Sequence, residues 1–411
     1  MHVVVLGAGY AGLTLSRLLE DDLPEEVEIT VVNESPDHLL QHELHRVIRR
    51  PDLADEITVS LPAVLERATV RVARVEEIDR DERVVTLTNG TLSYDVCAIC
   101  LGARTARYGL EGVPERGIPL KRLHHANRIR RRTLEAFDDV RASSEPARLV
   151  VGGAGLSGIQ IAGELAELAD EEGVAASVTL LEQFEAVAPS FPANFQRSVR
   201  DALEDIGVDV RTGTTVARAD EARVSLEEGD DLPYDVFVWA GGIRGPDALE
   251  GDRPTVEADL RLDQRTFAIG DAARIVDADG ESVPPSAQAA VREARTAAKN
   301  IGRLVDAAAG SNPDDLELSA SDPDLERFSF DSPGWLVSVG DDAVAQVGPS
   351  VFRGRAAKAL KATVGVGYLS SVGATRNAVD LARVETDADS KIRRALGIGR
   401  RVEDRMRRRR E

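Results

Sequence analysis

Two stretches decide the fold: Met1-His-Val-Val-Val-Leu-Gly-Ala-Gly-Tyr-Ala-Gly12 and Arg148-Leu-Val-Val-Gly-Gly-Ala-Gly-Leu-Ser-Gly158. Each begins with a β-branched run, Val3–Val5 or Leu149–Val151, passes through a glycine loop and opens an apolar helical pattern. A further strand-like run follows each helix, at Val27–Val32 and Ser177–Leu181, so the chain holds two separate βαβ units. In the spacing Gly7-x-Gly9-x-x-Gly12 the first glycine permits the tight turn and the second lets backbone approach a pyrophosphate. The third lets helix and strand pack closely, and the helix N-terminus offers free N–H groups to phosphate. Gly153, Gly155 and Gly158 repeat the spacing.

An acidic residue is expected about 20 positions beyond such a loop, where it bonds the ribose hydroxyls. Glu34 meets this for the first loop, with Asn33 beside it, and Glu182 for the second. A carboxylate there repels a 2′-phosphate, which favours NADH over NADPH at the second site. Two dinucleotide sites on one chain suggest electron transfer between a held FAD and a dissociable nicotinamide. No nucleophile–base pair stands out, and the six histidines show no metal-ligand spacing with cysteine. The expected fold class is α/β, with two Rossmann-like domains and a C-terminal α+β piece. The FAD domain is expected to be discontinuous, at 1–114 and 261–325, with an NADH domain inserted at 115–260 and the C-terminal piece at 326–411.

Between and beyond the loops, Val70–Ile78 and Val84–Leu87 read as short strands, Asn89-Gly90 as a hairpin turn, and Tyr94–Leu101 as a strand. Helical patterns cover Ala126–Phe137 and about Ser286–Val305, separated from the second unit by a polar link at Arg141–Ala147 and the short strand Thr266–Ile269. Ser311–Glu326 is acidic and turn-rich, and Trp335–Val339 with Ala343–Val347 reads as a strand pair turning at Asp341-Asp342.

Further motifs in the same order resemble the two-dinucleotide flavoprotein superfamily. Tyr94-Asp95 through Leu101-Gly102-Ala103 is similar to its first crossover, and Tyr234-Asp235 through Gly241-Gly242 to its second. Phe267-Ala-Ile-Gly270-Asp271 resembles the segment whose aspartate bonds the FAD ribityl chain. Within the superfamily the chain resembles the type II NADH:quinone dehydrogenases. Pro284-Pro285-Ser286-Ala287-Gln288-Ala289-Ala290 is similar to the segment at which flavin and quinone meet, Asp37-His38-Leu39 to the segment after the second strand, and Trp335–Gly340 to the C-terminal sheet. The resemblance implies FAD along Gly7, Ala8, Gly9, Tyr10, Ala11, Gly12, Asn33, Glu34, Val75, Gly102, Gly270, Asp271 and Ala287. It implies NADH along Gly153, Gly155, Gly158, Glu182, Gly241 and Gly242, and a quinone near Gln288 and Arg292. Three departures from the family pattern are Asn33, where Asp or Glu is often found five residues before the matched His38, Ile159-Gln160, where Val-Glu is usual, and Arg292, where a second glutamine is usual.

Composition adds a location and a setting. The net charge is −20 with 71 acidic residues and only five lysines, which suits a protein kept soluble in high salt, a halophilic trait, or an ordinary acidic surface. Such a surface should not bind nucleic acid broadly. No apolar run is long enough to span a bilayer, and no targeting segment is evident, so a cytoplasmic chain without a proton-pumping route is expected. Residues 351–411 nevertheless carry 16 basic and 7 acidic residues, a net of +9. Ile392, Ala395, Leu396, Val402 and Met406 share one helical face, Arg407–Arg410 closes the chain, and Ala356, Leu360, Val364 and Tyr368 form a stripe beside Arg355, Lys358 and Lys361. A basic amphipathic end of this kind can lie on an anionic membrane surface, here the inner face of the cell membrane; a homodimer contact is the alternative use. Cys97 and Cys100 sit in an apolar strand and read as buried structural residues, not as a redox pair. Sulfide:quinone chemistry needs cysteines later in the chain, and none follows Cys100. Two readings stay open beside quinone reduction: a soluble NADH-dependent reductase serving a carrier protein or oxygen, and a slow redox-sensing binding protein.

Overall fold

The computed structural model describes residues 1–143, 145–309 and 324–382. Its centre is a five-stranded parallel sheet in the order β9-β4-β1-β2-β3, formed by β1 (His2–Leu6), β2 (Glu28–Asn33), β3 (Thr69–Val72), β4 (Val96–Ile99) and β9 (Thr266–Ala268). Val3, Val4, Val5 and Leu6 are fully buried, as a central strand covered on both faces requires. Each such aliphatic side chain contributes about 2 kcal/mol by leaving water. β9 returns to this sheet from far along the chain, beside β4.

The second unit is a four-stranded parallel sheet, β7-β6-β5-β8, from β5 (Ala147–Gly152), β6 (Ala176–Leu181), β7 (Val208–Arg211) and β8 (Val236–Trp239). Helix α1 (Tyr10–Asp22) follows β1, α2 (Leu123–Ser143) precedes β5, α3 (Leu156–Glu172) follows it, and α4 (Ala193–Asp205) lies before β7. Helix α5 (Ala287–Ala309) packs along α1. Ala290, Ala294, Ala297, Ala298 and Ile301 recur at helical spacing on its buried face, and the small side chains let the two helices approach closely.

Several boundaries differ from those read in the sequence. The run Val70–Ile78 is two strands: β3 ends at Val72, and Val75–Asp79 joins Val84–Leu87 and Gly90–Ser93 in a separate antiparallel sheet. The alternation of apolar and charged residues continues across the break, so pattern alone could not show it. The polar link is shorter than expected, because α2 runs to Ser143. The C-terminal hairpin, β10 (Gly334–Val339) and β11 (Asp342–Val347), has a third strand, β12 (Ser350–Arg353), too exposed to stand out by periodicity.

The C-terminal sheet packs on α3 and α4 and carries helix α6 (Arg355–Ser371) on β11. A Cβ on Gly163 of α3 would lie 2.3 Å from the Gly340 nitrogen, so the hairpin turn rests directly on that helix. A last described helix, 375–382, is tied to the first unit where Asn377 donates to the carbonyls of Glu56 and Thr58 at 3.2 and 3.0 Å. The amphipathic face at Ile392–Met406 and most of the acidic stretch Ser311–Glu326 lie outside the described residues.

Candidate active site

The two glycine loops have the same geometry. Gly7 has φ +95°, and a Cβ there would meet the Cys100 carbonyl oxygen at 2.4 Å; a Cβ on Gly12 would lie 1.8 Å from the Gly7 oxygen. In the second loop Gly153 has φ +96°, and a Cβ on Gly158 would lie 1.8 Å from the Gly153 oxygen. A Cβ on Gly9 or Gly155, by contrast, meets nothing within 4 Å. These two residues cap α1 and α3 with no side-chain cap bond, and no acidic residue stands in either first turn. Each helix therefore presents uncapped N–H groups to open space beside a glycine, a cradle suited to a pyrophosphate.

The strand-end residues differ. Glu182, buried after β6, accepts the Ala154 N–H at 2.7 Å and the Phe184 N–H at 3.1 Å. In the first unit the same place belongs to Asn33, whose Oδ1 accepts the Ala8 N–H at 3.0 Å. Glu34 turns away to pair with Arg104 at 2.9 Å and with Arg122. The ribose role expected of Glu34 thus falls on a carboxylate already shared by two guanidinium groups.

The crossovers after β4 and β8 meet. Arg104–Thr105 pairs antiparallel with Ile243–Arg244, the Ala106 N–H donates to the Gly242 carbonyl at 3.0 Å, and the Trp239 indole N–H donates to the Ala106 carbonyl at 2.7 Å. Gly102 has φ +66°, and a Cβ on Gly242 would lie 2.3 Å from the Tyr108 hydroxyl. The carboxyl ends of the two parallel sheets, where such folds bind ligands, are therefore stitched edge to edge.

Gly270-Asp271 lies where these elements converge. Gly270 has φ +68°, and its N–H donates to Glu293 of α5 at 2.6 Å. Arg253 donates to the Asp271 and Ala273 carbonyls, both at 2.7 Å. Burial lowers Lys121 below the usual lysine range, with Asp271 nearby opposing the shift. Burial likewise pushes Glu293 up to about 7, against the bond from Gly270. Neither Lys121, Arg253 nor Glu293 was signalled by the sequence, because each is a lone charge in an unremarkable local pattern.

The expected acceptor residues are engaged with the segment leading into the C-terminal sheet. Gln288 donates to the Ser332 hydroxyl at 3.4 Å, and Arg292 bonds the Asp331 carbonyl and lies over the Phe330 ring at 5.7 Å. Ala287 opens α5, and Val75 is a buried strand residue paired with Leu87. Ala8, Tyr10 and Ala11 form the turn into α1, with the Ala11 methyl 3.3 Å from where a Gly270 Cβ would stand. Gln160 is half-buried on α3. Cys97 and Cys100 are buried free thiols, both pushed up by burial, as a structural role requires.

Comparison with known proteins is consistent with this geometry. A family described as pyridine nucleotide-disulphide oxidoreductase matches residues 1–294. The type II NADH:quinone oxidoreductase of Staphylococcus aureus (strain NCTC 8325 / PS 47) is 27% identical over 399 residues, spanning 90% of this chain and 96% of the relative. The structure of NDH2 from Plasmodium falciparum in complex with NADH has a TM-score of 0.75 at 14% identity, covering 93% of this chain and 97% of its own. The sulfide:quinone oxidoreductase of Aquifex aeolicus has a TM-score of 0.73 at 18% identity, with 92% of each chain covered. At these identities the two structures speak to the fold.

Proposed function

The chain belongs to the pyridine nucleotide-disulphide oxidoreductase family, and from that premise we propose that it is an NADH:quinone oxidoreductase acting through FAD at a membrane surface. The observation that supports this reading is the antiparallel pairing of the two crossovers, Arg104–Thr105 with Ile243–Arg244, which joins the two nucleotide-binding units beyond the carboxyl ends of their sheets. FAD, when bound, would supply the redox chemistry between NADH and the acceptor. The uncapped N-terminus of α1 would hold the FAD pyrophosphate, Asn33 the loop behind it, and Asp271 the ribityl chain. The N-terminus of α3, with Glu182, would hold NADH, with Gly241-Gly242 after β8 bordering its nicotinamide end. Arg253 fixes the Asp271 turn through the Asp271 and Ala273 carbonyls, and Gln288 with Arg292 would border the acceptor side. Acceptors similar to those of the Staphylococcus relative, quinones, fit this arrangement best.

The outer face of α6 supports a surface-bound enzyme. Leu360 and Val364, with Val379 just beyond, are exposed apolar residues, and Arg355 is exposed beside them. No described helix is long and apolar enough to cross a membrane. Lys361 does not join this basic face as its spacing suggested; it is buried against Glu43 at 3.2 Å. Interfacial seating, without proton pumping, is the arrangement these residues suit.

Steady-state NADH oxidation with a short-chain quinone analogue, compared with ferredoxin and with oxygen, tests the acceptor. Quinone should sustain the fastest turnover; a carrier protein or oxygen outpacing it would refute the reading. Glu182→Gln offers a second check. The amide turns an N–H donor toward backbone N–H groups, so one bond is lost at a cost of about 1–3 kcal/mol. The expected result is a KM for NADH raised about tenfold, with weaker discrimination against NADPH and little change in kcat.

A further inference from the structure

The second cradle has an aromatic residue at its rim that the roles given above leave unused. The segment after β6 departs at Glu182 and returns at Ala188, and both ends are tied to one residue of the glycine loop. Glu182 accepts the Ala154 N–H at 2.7 Å, and the Ala188 N–H donates to the Ala154 carbonyl at 2.8 Å. Phe184 lies within this arc. Its N–H donates to Glu182 Oε1 at 3.1 Å, and its carbonyl accepts the N–H of Gly213, just beyond β7, at 2.9 Å. The backbone of Phe184 is therefore held from both sides, whereas its side chain is 54% exposed. The other phenylalanines of this unit behave differently: Phe137, Phe195 and Phe237 are at most 1% exposed, and Phe191 packs against the rings of Phe195 and Trp335.

Exposure of one aromatic residue means little by itself; the order of the sheet gives it a meaning. In the order β7-β6-β5-β8, the uncapped N-terminus of α3 follows β5 and would hold the pyrophosphate. Gly241-Gly242, bordering the nicotinamide end, follows β8 on one side of β5, and Glu182, at the ribose, follows β6 on the other. A dinucleotide laid across the carboxyl ends of these strands would run from nicotinamide at β8, through pyrophosphate at β5, to adenosine at β6. Its adenine then falls beyond the ribose, beside the segments that follow β6 and β7. Phe184 stands there, bonded through its backbone to both segments. Adenine offers a flat π-face, which an aromatic ring matches by stacking. The exposed neighbours Gln183 and Glu185 have no such surface.

We propose that Phe184 recognises the base of the nicotinamide dinucleotide: its ring stacks on the adenine, while Glu182 holds the adjoining ribose. The proposal rests on NADH occupying the second cradle. Phe184 lies at the end of the dinucleotide remote from the hydride, so its contact is the same before and during hydride transfer. Such uniform binding tightens the complex and leaves the rate of the bound complex unchanged. Glu182 and Phe184 thus divide the recognition of the adenosine half, the carboxylate discriminating at the ribose and the ring at the base.

The test follows bleaching of the flavin in the FAD-loaded enzyme, without oxygen. NADH is compared with reduced nicotinamide mononucleotide, which carries the same hydride and no adenosine. In Phe184→Ala, the NADH concentration giving half the limiting rate should rise about tenfold, while the limiting rate stays at the wild-type value. With the mononucleotide, the variant and the wild type should behave alike, because the base that Phe184 meets is missing. Phe184→Trp, which keeps a ring face, should retain the wild-type response to NADH. Because the side chain is exposed, these replacements should leave the fold intact. An unchanged NADH response in Phe184→Ala, an equal loss with NADH and with the mononucleotide, or a tryptophan variant as weak as the alanine one would overturn the assignment. Wild-type flavin that NADH does not bleach at all would instead overturn the proposed function.

Discussion

Gly12→Ala is expected to yield a protein that purifies without flavin, and Gly158→Ala one that keeps its flavin but is not reduced by NADH. In each case the added methyl would stand 1.8 Å from a carbonyl oxygen of the same loop, Gly7 or Gly153. A carbonyl cannot yield as a flexible side chain can, so the loop must open or the helix must withdraw from its strand. Either movement displaces the uncapped N–H groups of Tyr10–Gly12 or Leu156–Gly158. The flavin absorbance of the purified variants and its response to NADH separate the two outcomes. Reduction of the Gly158→Ala variant at the wild-type rate would mean that the second loop does not hold the nicotinamide nucleotide.

Arg49→Met is expected to destabilise the protein by about 3–5 kcal/mol, the usual result of removing one partner from a buried ion pair. Arg49 is 6% exposed and holds Glu164 and Glu171 on α3 and Asp341 in the C-terminal hairpin, besides leading into the first unit through its own segment. Methionine fills most of the volume and leaves Glu164, Glu167 and Glu171 without the Arg49 cation, while Asp341 keeps Arg50. The deficit should depend on pH. Glu164 in the folded wild type is already raised to about 7 by burial, above its value in the unfolded chain, and losing Arg49 raises it further. A raised acid costs stability once pH passes its unfolded value, and the cost stops growing when the folded group ionises. The wild type therefore stops losing stability near pH 7, whereas the variant continues to lose it above that. Urea unfolding at pH 6 and pH 8.5 should show the larger gap at the higher pH; a gap that is equal at both, or larger at the lower, would contradict this assignment of Glu164.

What the sequence made legible was local. The paired glycine loops needed only their spacing and their flanking strands and helices, and the β-branched runs at Val3–Val5 and Leu149–Val151 read as buried strands without reference to anything distant. The second-strand ends were legible in kind, but the choice between Asn33 and Glu34 was not. It depends on which side chain turns back to the loop, and Asn33 does so while Glu34 is drawn off by Arg104 and Arg122. The buried ion pairs of Glu43 and Arg49 could not be read at all. Glu43 meets Lys361, and Arg49 meets Asp341, across some 300 residues, and no periodicity records such a contact. Lys361 illustrates the difficulty: its spacing places it with the basic residues of an outward face, yet Glu43 draws it inward. Lys121 and Glu293 were hidden for the same reason, their partners at Gly270-Asp271 being set only when β9 closes the first sheet.

The proposed activity requires two nucleotide cradles that face each other closely enough for a hydride to pass between their ligands. The measurement that tests it most directly is the visible spectrum of the purified, oxygen-free protein, recorded before NADH, after one equivalent of NADH, and after a quinone analogue is added. A flavin spectrum that bleaches with NADH and returns with quinone is the predicted result. A protein that carries FAD and binds NADH, yet keeps its oxidised spectrum, would contradict it.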